Sequence, residues 1–258
     1  MTSDWPLPPT TWTLEDNEIH VWVADLGLPP EKQTVCERVL SMEETERARR
    51  FHFERDRLRY IATHGILRFL LGRYLAGEPA QVCLAADSYG KPHVVTETDV
   101  PLLHFNLSHS AGLALYVLTR NRRIGVDVEK IRPDIATADI AASYFSGGEA
   151  RNLRALPKEQ QLEAFFICWT RKEAYLKARG CGLSRPLGEF EVSFLPGEPP
   201  AILRAPDDPQ AGERWAAMHL TPAPGYVGAV VVEGRDLFLK CWQWQFHVTG
   251  TVVPHSAG

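Results

Sequence analysis

The sequence predicts an α+β fold built from two similar halves related by a pseudo-twofold axis. β-rich stretches alternate with two long helical stretches, and the order of elements recurs. The recurrence keeps a constant offset of 105 residues: Ile19, Val21 and Val23 fall on Ile124, Val126 and Val128, Ser41 and Glu44 on Ser146 and Glu149, Tyr60, Ile61 and Leu71 on Phe165, Phe166 and Leu176, and Gly77 on Gly182. Agreement in order, length and pattern marks an internal repeat. The expected division is a Pro-rich arm at 1–16, a first half at 17–120, a second at 121–236 and a tail at 237–258. The seam between such halves is a natural ligand cleft.

Residues 1–16 are polar and Pro-rich and read as an arm. Residues 18–26, EIHVWVADL, alternate and are β-rich, so they predict a strand that LPP at 28–30 ends. Ser41 with Glu44 three residues on has the form of a helix-starting capping box. A long helix follows over 56–77, and YGKP at 89–92 is a turn. Residues 104–121 contain a strand up to Thr119, TRNRR turns, and RIGVDVEKI is the next strand. Ser146 and Glu149 then open a second helix start, and a long helix covers 160–178, stopping at RGCG. EFEVSFL, RWAAMHLT and YVGAVVVEG read as strands, and an added edge strand is expected in the tail around Trp242 and Trp244.

Hydrophobic content of 45% and charged content of 23% are those of a globular protein with a full core. A net charge of −4 argues against a nucleic-acid partner, although the basic cluster RARRFHFERDRLR at 47–59 offers a local phosphate site. Five Cys without a C-x-x-C spacing predict free thiols rather than disulfides or zinc. No signal peptide or membrane-length apolar run is evident, so a cytoplasmic protein with no membrane contact is expected.

The second half differs from the first in its acids. Asp127 stands against Trp22, Glu129 against Ala24 and Glu173 against Arg68, which implies one site per chain. In a strand, Ile124, Val126 and Val128 share one face and Gly125, Asp127 and Glu129 the other, with the two carboxylates about 7 Å apart. Such a pair repels unless something positive lies close. On the long helix, Glu173 interrupts the apolar stripe of Leu162, Phe166, Trp169 and Leu176, and Lys177 one turn on can pair with it. Three carboxylates and a Lys suit a hard divalent cation that keeps sites for phosphate oxygens. On this pattern alone, a Mg²⁺-dependent nuclease or phosphodiesterase with a D…E-x-x-x-K site remains an alternative.

IGVDVEK followed by WTRKEAYLKARGCGLS resembles the signature of the Sfp-type 4′-phosphopantetheinyl transferases, roughly G-[VI]-D-x-E and then W-x-x-K-E-[AS]-x-x-K about forty residues on. RARRF, YGKP and FNLSHS agree as well, and the resemblance spans about 40–195. It implies transfer of the phosphopantetheine arm of coenzyme A to a Ser of an acyl or peptidyl carrier protein, releasing adenosine 3′,5′-bisphosphate, in a monomer. It implies that Asp127, Glu129 and Glu173 hold Mg²⁺ (or Mn²⁺), that Glu173 or a water it holds takes the Ser proton, and that Lys177 stabilises the transferring charge. Lys91 and the pair Ser108 and His109 are implied as coenzyme A contacts, with Arg47 and Arg59 as candidates for the 3′-phosphate. Lys172 lies about 100° round the helix from Glu173 and is expected as a second-layer or phosphate contact. Glu149 is either near the metal or simply a helix cap. Ser108 and His109, adjacent in an extended segment, point to opposite faces and cannot form a hydrolase dyad.

The stretch between the metal strand and the metal helix, 135–161, is the expected dock for the carrier. The chain length suits the broad-specificity branch of the family rather than the short, trimeric branch that serves fatty-acid synthesis, and fatty-acid, polyketide and nonribosomal peptide carriers all stay open. A coenzyme A-binding or carrier-binding module without catalysis would be expected to lack one of the metal acids, and none is missing.

Overall fold

In the computed structural model, which describes residues 4–95, 102–180, 182 and 185–246, one series of elements occurs twice. The first pass is β1 (Glu18–Asp25), α1 (Pro30–Arg38), α2 (Met42–Arg49), α3 (Glu54–Tyr74), a 3₁₀ turn at Pro79–Gln81, β2 (Leu84–Ala86), β3 (Pro92–Val94), β4 (Leu103–Ser110) and β5 (Leu113–Arg120). The second is β6 (Ile124–Lys130), α4 (Thr137–Tyr144), α5 (Gly147–Ala155), α6 (Lys158–Arg179), a 3₁₀ turn at Leu187–Glu189, β7 (Glu191–Val192), β8 (Ile202–Arg204), a one-turn helix α7 (Ala211–Arg214) without a counterpart in the first pass, β9 (Trp215–Leu220) and β10 (Tyr226–Glu233). Strand β11 (Phe238–Gln243) follows. Expectations for Cys181, Leu183, Ser184 and the tail beyond 246 lie outside the described residues.

The sheets share one topology. The first runs β11-β1-β5-β4 and the second β6-β10-β9. Val21 pairs with Val117 as Val126 pairs with Val230, both antiparallel. Each sheet turns one face to a common apolar cluster that includes Val21, Val117, Val126 and Val230. The other faces are covered by the long helices, α3 with Ile61, Ile66 and Leu70, and α6 with Phe165, Cys168 and Tyr175. Burial on both faces explains why β1, β5 and β10 lack a solvent-facing stripe.

Both capping boxes form. Ser41 and Glu44 cap α2, and Ser146 and Glu149 cap α5, each Ser accepting from the Glu amide and each Glu from the Ser amide. Each Glu also meets a buried cation from the following long helix. Arg68 pairs with Glu44 at 2.6 Å and donates to the Pro79 and Val82 carbonyls. Lys172 pairs with Glu149 at 2.7 Å and donates to the Leu187 and Phe190 carbonyls. In both halves a helix is thereby tied to a preceding cap and a following 3₁₀ turn.

Two expectations change accordingly. The counterpart of Arg68 is Lys172, so the repeat shortens by one residue along the helices and Glu173 stands against Phe69. Lys172 has no exposed surface and faces away from the cleft, so it is a structural cation rather than a coenzyme A contact. Of EFEVSFL, only Glu191–Val192 is a strand, because the Glu198 carboxylate accepts from the Phe194 and Leu195 amides and bends the chain there. Helices α1 and α4 are additions to the reading; α1 starts on Pro30, where a missing amide costs nothing.

The tail does add an edge strand, with β11 parallel to β1 and Trp22 beside Trp242. Trp12 of the arm packs 4.4 Å from Trp22, with Trp242 and Trp244 around it. Where the second half carries Asp127, the first is therefore filled by indole rings.

Candidate active site

The two sheets meet along β4 and β6, which belong to different sheets and are bridged by side chains. Asn106, Ser108 and Ser110 share one face of β4, as alternate residues must. The Asn106 side-chain oxygen accepts from the Val126 amide at 2.9 Å. The Ser108 hydroxyl donates to Asp127 Oδ1 at 2.8 Å, and the Ser110 hydroxyl to Glu129 Oε2 at 2.6 Å. Ser108 is thus part of the acidic cluster, while His109 lies on the other face of the strand. The strand bends back through Ala111 and Gly112, both at positive φ, a two-residue hairpin geometry.

Gly125 sets the position of α6. A Cβ there would collide with the Ala174 carbonyl and the Ala178 amide, so the helix backbone lies directly on β6. This contact delivers Glu173 and Lys177 to the acid face of the strand. Lys177 Nζ bonds Asp127 Oδ1 at 2.7 Å and Ser108 Oγ at 3.0 Å. The expected Glu173–Lys177 pair is replaced by this longer-range one, because Asp127 lies where the Lys177 side chain extends. Gly125→Ala is expected to destabilise the fold by about 1–3 kcal/mol through overpacking. Its surviving folded fraction should also lose activity, since α6 must shift; denaturant unfolding with an activity assay checks both.

Electrostatically Glu173 and Glu129 both sense the Asp127 charge. Burial raises the pKa of Glu173, with the Asp127 and Glu129 charges adding and Lys177 opposing. Burial likewise raises that of Glu129, with Asp127 adding and the Ser110 hydrogen bond opposing. Asp127 Oδ2 is buried with no hydrogen-bond partner. An orphaned carboxylate oxygen beside two carboxyls resisting ionisation is an all-oxygen donor set that a hard cation would relieve. Among the described residues, however, no three His, Cys, Asp or Glu side chains are gathered tightly enough to hold an ion. The donors fit, and they are not pre-assembled.

Beside the acids opens a cleft of about 510 Å³, lined by the Tyr89–Pro92 turn, Asn106, Glu173, Leu176 and Lys177. Lys91 Nζ, in the lining, bonds the Ile124 and Lys177 carbonyls. The ammonium is desolvated there, and its pKa falls to about 8. Cations lie on the α3 side. Arg59 approaches Gly112 of the hairpin. The His109 pKa is lowered by desolvation and by the nearby Lys177 and Arg59 charges. Arg47 stands over the Tyr60 ring, 5.8 Å from its centroid, and His64 stacks on the same ring at 3.9 Å. His64 escaped the sequence reading; its only signal there is a position one turn after Tyr60. Glu149 is committed to Ser146, Lys172 and the Val192 amide, so it serves as a cap and not at the acids.

The chain matches two family models: the 4′-phosphopantetheinyl transferase superfamily over residues 123–231 and the 4′-phosphopantetheinyl transferase N-terminal family over 29–119. It is 39% identical over 240 residues to the 4′-phosphopantetheinyl transferase HetI of Nostoc sp., covering 93% of this chain and 98% of that one. It is 33% identical over 153 residues to the 4′-phosphopantetheinyl transferase Sfp of Bacillus subtilis, covering 59% of this chain and 66% of that one.

Proposed function

The chain belongs to the 4′-phosphopantetheinyl transferase superfamily, and we propose that it moves the phosphopantetheine arm of coenzyme A onto a Ser of an apo carrier protein in the cytoplasm. The observation that carries this reading is that Glu173 and Lys177, which line the cleft, lie beside Asp127 and Glu129, with Arg59 and His109 nearby. The nuclease alternative gains no support from the relatives.

Asp127, Glu129 and Glu173 would hold Mg²⁺ or Mn²⁺, with Asp127 Oδ2 as the free donor. Bound there, such an ion supplies Lewis acidity to a pyrophosphate. Glu173 accepts the Ser proton, a role for which a raised pKa suits a carboxylate working near neutrality. The Ser oxygen bonds to the phosphorus that bears the pantetheine arm, the pyrophosphate P–O bond breaks, and adenosine 3′,5′-bisphosphate leaves. Lys177, anchored on Asp127 and Ser108, neutralises charge on the oxygens in flight. Arg47, Arg59 and His109 bind the phosphates of the nucleotide, where a guanidinium fork matches a phosphomonoester.

The carrier docks over α4 and α5, which lie between β6 and α6 in the chain. Tyr144 is 53% exposed there and lies edge-on to Trp169. Tyr144→Glu should raise KM for an acidic carrier by about tenfold, as loss of an aromatic anchor does, and leave KM for coenzyme A unchanged; equal changes in both would remove the docking assignment. The function itself is tested by intact-mass measurement of apo acyl and peptidyl carriers incubated with the protein, coenzyme A and Mg²⁺. A phosphopantetheine mass gain is expected. No gain with fatty-acid, polyketide or nonribosomal peptide carriers would overturn the proposal.

A further inference from the structure

Lys91 belongs to the first pass of elements, yet both carbonyls it binds belong to the second. One is Ile124, which begins β6, at 2.9 Å; the other is Lys177, in the last turn of α6, at 2.7 Å. Carbonyls in a last helical turn lack full intrahelical partners and carry the negative end of the helix dipole, so an ammonium is well placed there. The turn that carries Lys91 is itself fixed, since Asp87 Oδ1 accepts from both the Tyr89 and Lys91 amides at 2.9 Å.

At Gly125 the α6 backbone rests on β6 with no side chain between them, while the apolar packing of α6 runs against Val227, Ala229 and Val231 of β10 and Trp215 of β9. Lys177 also pairs with Asp127 across the same contact, and that pair is itself part of the reacting cluster. We infer that Lys91 is a positioning residue that pins the register of α6 on β6, and so holds Glu173 and Lys177 opposite Asp127. An ammonium has three donors; two are engaged by the main chain, and the third is left for the cleft. The inference rests on the reading of Asp127, Glu173 and Lys177 as the reacting groups.

The test compares Lys91→Met with the parent protein in two ways. Without ligand, amide hydrogen exchange in residues 176–180 and 124–126 should quicken by about tenfold while exchange in the first-half core stays unchanged. In the transfer assay, kcat should fall by roughly 10²-fold, as a misplaced catalytic group causes, with KM for coenzyme A changed much less. Lys91→Arg, which keeps donors to the two carbonyls, should restore protection and much of kcat. Unchanged exchange together with a loss confined to KM for coenzyme A would overturn the inference and leave Lys91 as a ligand contact. Should Lys91→Met not fold, Lys91→Gln is read by the same two criteria. The exchange measurement stands even if no carrier is modified, so failure of the functional reading and failure of the pin are separable.

Discussion

Glu173→Gln is expected to lower phosphopantetheine transfer by at least ~10²–10³-fold, the scale of losing a principal electrostatic group, and to raise the melting temperature of the ligand-free protein. The two effects share one cause. Burial and the charges of Asp127 and Glu129 oppose ionisation of Glu173, so the acid destabilises the fold that needs it. A folded pKa above the unfolded one means that the native state retains a proton the unfolded chain has released. Stability therefore falls as pH rises from the unfolded carboxylate value through the raised folded one. The gap in melting temperature between variant and parent should vanish in acid, open across that window and stay open above it. A variant that melts below the parent at neutral pH, or keeps full activity, would contradict this assignment.

Lys172→Met carries the largest expected stability loss. Lys172 is wholly enclosed and Glu149 is 4% exposed, so removing one partner leaves a buried carboxylate uncompensated, at a cost of about 3–5 kcal/mol. Denaturant unfolding should show that loss. Lys172→Arg should recover much of it, because Arg68 fills the same role against Glu44, and the double change with Glu149→Gln should be milder than Lys172→Met alone. Any folded fraction of Lys172→Met should keep its KM for coenzyme A. A variant that stays stable and loses only coenzyme A affinity would return Lys172 to the cleft.

Much of this was legible in the chain because local rules govern it. Strand alternation fixed which face of β6 carries Asp127 and Glu129, and a spacing of three marked both capping boxes. The helix angle correctly turned Lys172 away from Glu173, but its destination, a cap and a 3₁₀ turn remote in sequence, follows from tertiary packing. The same limit hid the roles of Asn106, Ser108 and Ser110, which read as an ordinary strand until β6 is set beside them. Lys177 chose Asp127 over the helical neighbour Glu173 for a similar reason: the close approach at Gly125 puts the strand carboxylate within its reach. Helices α1 and α4 are too short to show a periodic stripe. β7 is cut short by a carboxylate that caps the next loop, a contact with no periodic trace.

The proposed joint hold of Asp127, Glu129 and Glu173 on one cation is measured by Mn²⁺ binding, followed by the magnetic-resonance signal of the free aqueous ion in the presence of coenzyme A. One ion per chain is predicted, with affinity reduced at least about tenfold in each of Asp127→Asn, Glu129→Gln and Glu173→Gln, since each removes a ligand charge. Unchanged stoichiometry and affinity in all three variants would contradict the account.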